Sequence, residues 1–99
     1  MNRQIIWSPH AENDYFKLLG FLLDRWGEKT AKTFNKRLDE VLGNISKSPN
    51  IYQSTGKFNN VRRCVVSKQV SLYYRNTETT IEIITLFDTR QHPKKLKVE

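Results

Sequence analysis

The sequence predicts an α+β fold of order β-α-α-β-β-β: an N-terminal strand and a helical hairpin packed on a small antiparallel sheet. Three observations predict it. Two apolar stripes at helical spacing follow one another between residues 11 and 45. The apolar period changes to two after residue 60. The links between the later elements are too short for anything but hairpins. Helices grouped apart from strands make an α+β domain. The 99 residues suffice for one domain, residues 1–99, and two would each lack a core.

Residues 3–7 read as a short strand, because Ile5, Ile6 and Trp7 are β-formers and Ser8-Pro9 stops the run. Ser8 then suits a helix N-cap, and Pro9 a first helical position where its missing N–H costs nothing. Ala11, Tyr15, Leu18, Leu19, Leu22 and Trp26 form one stripe of an amphipathic helix. Gly27 is its stop. Ala31, Phe34, Leu38, Val41, Leu42 and Ile45 form a second stripe, with Lys29, Lys32, Lys36 and Arg37 on the other face. A link as short as Gly27 makes the two helices an antiparallel hairpin. Residues 50–60 read as a loop. Val61–Val66, Val70–Arg75 and Ile81–Phe87 read as three strands of a meander, the last apolar on both faces and so interior to the sheet. Asp88 to Glu99 reads as a polar, Lys-rich tail.

Composition narrows the function classes. The hydrophobic fraction of 37% is too high for a disordered basic tail. A single cysteine excludes an intrachain disulfide framework and suits a reducing compartment. The first residues carry no secretory h-region, and no apolar run is long enough to cross a bilayer, so a cytoplasmic chain without membrane contact is expected. The formal net charge is +7, of which +5 falls in residues 51–99. Such an excess favours polyanionic partners: nucleic acid, the ribosome or an acidic protein.

Residues with chemistry are few. His10, His92 and Cys64 are the only histidines and the only cysteine, and none stands at metal-ligand spacing. No metal is expected, and no cofactor, since Gly-rich phosphate loops and nucleophile elbows are absent. Cys64, alone in a strand, reads as a packed thiol. Alternation places Val61, Arg63 and Val65 on one face of their strand and Arg62, Cys64 and Val66 on the other. Val70, Leu72 and Tyr74 suit the helix side, leaving Ser71, Tyr73 and Arg75 on the open face. Arg90 and His92 follow the last strand. Arg62, Tyr73, Arg90 and His92 are thus expected on one surface, where Arg forks hold phosphate, Tyr stacks and His titrates. The plainer alternative pairs Arg62 and Arg90 with Glu82 and Asp88.

The chain resembles the RelE/ParE family of type II toxin–antitoxin toxins. The resemblance rests on Ile5-Ile6-Trp7-Ser8-Pro9 with Ala11, Ser48-Pro49, Val61-Arg62-Arg63, Leu72-Tyr73-Tyr74-Arg75, and Ile81 to Leu86 leading into Asp88-Thr89-Arg90-Gln91-His92-Pro93. It covers nearly the whole chain and implies the same α+β fold. It also implies a growth-inhibiting toxin neutralised by a cognate acidic antitoxin. RelE-like members cut mRNA in the ribosomal A site; ParE-like members poison DNA gyrase. Of the RelE catalytic pattern, the first-strand lysines fall on Arg62 and Cys64. The arginine of the next strand falls on Ser71, and the arginine after the last strand on Arg90. The terminal tyrosine has no counterpart in Lys94-Lys95-Leu96-Lys97. Two basic positions survive and two are lost, which weakens the stabilisation of a pentavalent phosphate. The resemblance therefore leans to gyrase inhibition, with Arg63, Tyr73, Arg75, Lys94 and Lys95 as target or nucleic-acid contacts. The alternative is a ribosome-dependent mRNA endoribonuclease using Arg62, Arg90 and His92. A third reading is a non-toxic basic binding module.

Overall fold

The computed structural model describes residues 3–56, 58, 60–91, 93–96 and 98. Its elements are β1 (Gln4–Trp7), α1 (Pro9–Trp26), α2 (Glu28–Lys47), β2 (Val61–Ser67), β3 (Val70–Asn76) and β4 (Thr80–Asp88), followed by a 3-10 turn at Pro93–Lys95. The element order and the α+β class are those the sequence predicts.

The sheet order is β1-β4-β3-β2. The β2-β3-β4 meander is antiparallel, as its short links require. β1 adds to it in parallel, with Ile5 opposite Ile81 and Trp7 opposite Ile83, so the sheet is mixed and not wholly antiparallel. No turn connects β1 to β4, so no local signal in the sequence announces this pairing. The long passage through the hairpin returns the chain to make it.

Ser8 fixes the exit from β1. Its side-chain oxygen accepts from the Ala11 N–H at 3.0 Å, while the hydroxyl donates to the Ile84 carbonyl at 3.0 Å. The N-cap of α1 is thereby tied to β4. Gly27 serves as the end of α1 and the start of α2 at once. Its φ of 89° lies where L side chains are strained, and its N–H donates to the carbonyls of Leu22 and Leu23.

The main core lies between the helices and one sheet face. Ala11, Phe34, Leu38, Val41 and Ile45 pack on Cys64, Val66, Leu72, Tyr74, Ile81, Ile83 and Leu86. Tyr74 is wholly buried, and its hydroxyl donates to the Pro49 carbonyl at 2.7 Å. That bond pins the start of the loop after α2. Burial pushes the Tyr74 phenol up to about 12.

A second cluster covers the other sheet face. Val61, Tyr73, Ile84 and Val98 are buried together, with Phe58, Phe87 and Leu96 packed against them. This corrects the expectation of a polar tail beside an open face. Two apolar side chains of the tail, Leu96 and Val98, fold back on the sheet. The physical reason is in β4, which a bulge opposite Tyr73/Tyr74 leaves apolar on both sides. A sheet apolar on both faces needs two covers, and the helices supply only one.

The double substitution Leu96→Ala/Val98→Ala is expected to cost about 2–4 kcal/mol, read as a lower urea midpoint. A midpoint unchanged within error would remove the tail from the core. Tyr74→Phe is expected to cost about 1–2 kcal/mol and to speed proteolysis of the loop after Pro49. Equal cleavage rates in the two proteins would refute the pinning role.

Candidate functional site

Strand alternation decides where the candidate cations go. Cys64 and Val66 are buried in the helix-side core, so Arg62, two residues before Cys64, shares their side. It lies opposite Tyr74, and its Nη1 donates to the Tyr52 carbonyl at 2.7 Å. Arg62 therefore does not share a surface with Tyr73, contrary to the expectation. Nor does it pair with Glu82. Its neighbour Arg63 is the one opposite Tyr73.

Arg90 also sits elsewhere. Its Nε and Nη2 donate to the two oxygens of Asp88 at 3.0 and 2.6 Å, a bidentate fork. This pairing was the plainer sequence expectation for Arg90. The hydrogen bonds from Arg90 hold the Asp88 carboxyl below its usual range. The Arg90 guanidinium lies over the Phe21 ring of α1, 5.8 Å from its centroid. It borders a small cleft of about 240 Å³ with Asp14, Lys17 and Leu18, on the helix side of the sheet. His92 lies outside the described residues. Of the expected catalytic residues, the two that are described have separate partners: Arg62 bonds the Tyr52 carbonyl, and Arg90 is clamped on Asp88 beside α1.

The face opposite the helices does gather some of the expected target contacts. Arg63 is exposed, and its Nε donates to the Oγ of buried Ser71 at 3.3 Å. Tyr73 is only 8% exposed, so its ring serves packing more than stacking. Both border a groove of about 610 Å³. Arg75 pairs with Glu82 at 3.3 Å beside a second groove of about 720 Å³. Phe58 and Leu96 form a wall common to both grooves. Lys94 and Lys95 are exposed on the 3-10 turn that leads to that wall.

Cys64 is the packed thiol the sequence suggests, buried, with its pKa raised by desolvation. Among the described residues, no three His, Cys, Asp or Glu side chains stand close enough to hold a metal ion. No helix among them is long and apolar enough to cross a membrane.

Two features escape the sequence reading. The first is His10, which the sequence marks only as lacking metal-ligand spacing. It lines the larger groove, and its Nε2 lies 3.3 Å from Asp14. Asp14 in turn accepts from the Thr85 hydroxyl at 2.5 Å and the Leu86 N–H at 3.3 Å. The i,i+4 spacing of His10 and Asp14 was the available signal. The second feature is the outer surface of α1. Phe16, Leu23 and Trp26 are 66%, 45% and 67% exposed. With half-buried Leu19 they run at steps of 3, 4 and 3, a stripe beside the core-facing one. Trp26 belongs to this outer stripe, whereas its spacing had placed it on the inner one.

No curated protein sequence matches the chain significantly. Its fold is similar to the chromosomal ParDE toxin–antitoxin system of P. aeruginosa, at 15% identity and a TM-score of 0.73, over 87% of this chain and 95% of that one. It is also similar to the YoeB dimer of Staphylococcus aureus, at 16% identity and TM-score 0.62, over 86% and 94%. The E. coli DinJ–YafQ complex gives 14% identity and TM-score 0.62, over 91% and 96%. At these identities the likeness is one of fold. The family itself is shown by sequence: residues 5–93 match the ParE toxin of type II toxin–antitoxin systems, parDE, and the chain belongs to that family.

Proposed function

We propose that this protein is a growth-inhibiting toxin that acts as a ParE-like inhibitor of DNA gyrase and is neutralised by a cognate acidic antitoxin. The observation that carries the choice of target is the dispersal of the candidate nuclease residues. Arg62 is spent on the Tyr52 carbonyl, and Arg90 on Asp88 beside α1. Positions 64 and 71 hold a buried thiol and a buried hydroxyl in place of cations. A phosphorane in the A site would meet no clustered positive charge from this set. Family membership supports the toxin reading, and the ParDE and DinJ–YafQ likenesses support a partner of the antitoxin kind.

The outer stripe of α1 supports the antitoxin side of the proposal. Exposed Phe16, Leu23 and Trp26 offer anchors for an amphipathic segment. The net charge of +7 favours an acidic one. A disordered segment that folds there offsets its ordering cost with apolar burial and charge pairing.

Purified protein is expected to inhibit supercoiling by purified gyrase, and Arg90→Ala is expected to leave both this inhibition and growth arrest intact. Supercoiling unaffected by excess toxin, together with codon-phased mRNA cuts that vanish in Arg90→Ala, would replace this reading with the endoribonuclease. Normal growth after induced expression without a partner, at good yield, would favour the non-toxic binding module. The double variant Phe16→Ser/Trp26→Ser is expected to bind the product of an adjacent short acidic reading frame at least ~100-fold more weakly, with unchanged circular dichroism. Undiminished affinity would place the antitoxin on another surface.

A further inference from the structure

The larger groove holds a set of side chains that the toxin reading does not use. It is framed by His10 at the start of α1, Arg75 of β3, Glu82 and Ile84 of β4, Phe58 of the loop and Val98 of the tail. Its volume of about 720 Å³ is in the range of sites for small ligands. The floor is apolar, since Ile84 and Val98 are buried.

The polar groups are arranged in two pairs. Arg75 and Glu82 face each other across β3 and β4, in register. A single N–H···O contact of 3.3 Å joins them among the described residues. That leaves further guanidinium donors and a second carboxylate oxygen available on two half-exposed side chains. A pair that served solubility alone would need no cavity with an apolar floor beside it. His10 is oriented through Nε2 by Asp14, which Thr85 and Leu86 fix in turn. Its ring stands at the rim of the groove, half exposed.

A forked donor beside a forked acceptor selects among planar ligands. Guanine offers O6 and N7 as neighbouring acceptors and N1–H and N2–H as neighbouring donors. Arg75 can donate to the first pair while Glu82 accepts from the second. Adenine can match each side chain with one bond only, and cytosine, whose O2 and N3 can take the Arg75 fork, offers Glu82 only its N4 amino group. The apolar floor and Phe58 suit the base plane, and His10 at the rim suits a phosphate oxygen.

The geometry points to a guanine-nucleotide site in this groove, with Arg75 and Glu82 reading the base and His10 contacting the phosphate. It lies on the sheet face opposite the helices and does not depend on the choice between gyrase and mRNA. The shared chemistry is a guanine nucleotide, either free or within a single strand.

Isothermal titration of the intact protein with GMP, AMP, guanosine, r(UUUGUUU) and r(UUUUUUU) tests it. GMP is expected to bind saturably and about tenfold or more tightly than AMP. Glu82→Gln, which keeps the side chain's size, is expected to erase that preference. His10→Ala is expected to weaken GMP while leaving guanosine unchanged. Tighter binding of r(UUUGUUU) than of r(UUUUUUU), in competition with GMP, supports the site with guanine in a strand. Binding of GMP with no difference between the oligonucleotides supports the site with a free nucleotide. No saturable GMP binding, equal GMP and AMP affinities in the native protein, or a GMP preference that survives Glu82→Gln in a folded variant overturns the proposal.

Discussion

β4 carries contacts to almost every other part of the molecule. It lies between β1 and β3 and is apolar on both faces. β1 pairs with it in parallel, and the cap of α1 hydrogen-bonds to its backbone through Ser8. Asp14 ties the body of α1 to Thr85 and Leu86. The tail closes on Ile84 from the other side. A strand buried on both faces cannot be left half covered, because each exposed apolar Å² costs roughly 25 cal/mol. That constraint explains why a tail rich in lysine nonetheless folds back through Leu96 and Val98. It also explains why the face opposite the helices is divided into grooves and is not one open plane.

The same constraint disposes of the charges. A two-residue period leaves each strand residue a single choice of side, and burial of Cys64 and Val66 makes that choice for Arg62. Once on the helix side, an arginine can reach solvent or a carbonyl, and Tyr52 supplies the carbonyl. Arg63 gains the opposite face by the same logic. Net charge is therefore a poor guide to a catalytic centre here. Of the two surviving cations expected from the RelE pattern, neither stands on the face that carries Arg63, Tyr73 and Arg75.

How much of this could be read beforehand follows from the range of each signal. The helical stripes, the Ser8-Pro9 start and the Gly27 link are local, and the elements stand where they predict. The antiparallel meander follows from loop length. The β1–β4 pairing spans more than 70 residues with no turn to mark it, and the tail's docking depends on two side chains among charged neighbours. At the site, alternation within β2 and β3 holds as the sequence predicts. The grouping across strands is what fails, because Arg62 shares its side with buried Cys64 and Val66 and not with Tyr73. The i,i+4 spacing of His10 and Asp14 signals their contact, but nothing local places His10 at a groove completed by β3, β4 and the tail. Only the fold brings the Arg75–Glu82 pair to its side. Trp26 fits the inner stripe by spacing, but at the last turn of α1 it is left on the outside, 67% exposed.

Two surfaces with different chemistry therefore sit on different layers of one small chain. The outer stripe of α1 belongs to the helix layer, and the grooves belong to the opposite face of the sheet. The two layers meet at the start of α1, where His10 lines the groove and Asp14 accepts from Thr85 of β4. A partner on Phe16, Leu23 and Trp26 does not have to cover Arg75 or Glu82. Neutralisation by binding at α1 would then work through the bulk of the bound segment or a shift of α1 on β4, and not by filling the grooves. The Asp14 bonds to Thr85 and Leu86 resist such a shift, so steric exclusion of the target is the simpler route. Under the proposed function, the target's contact surface would then lie within reach of α1, and the groove face would stay free for a separate ligand.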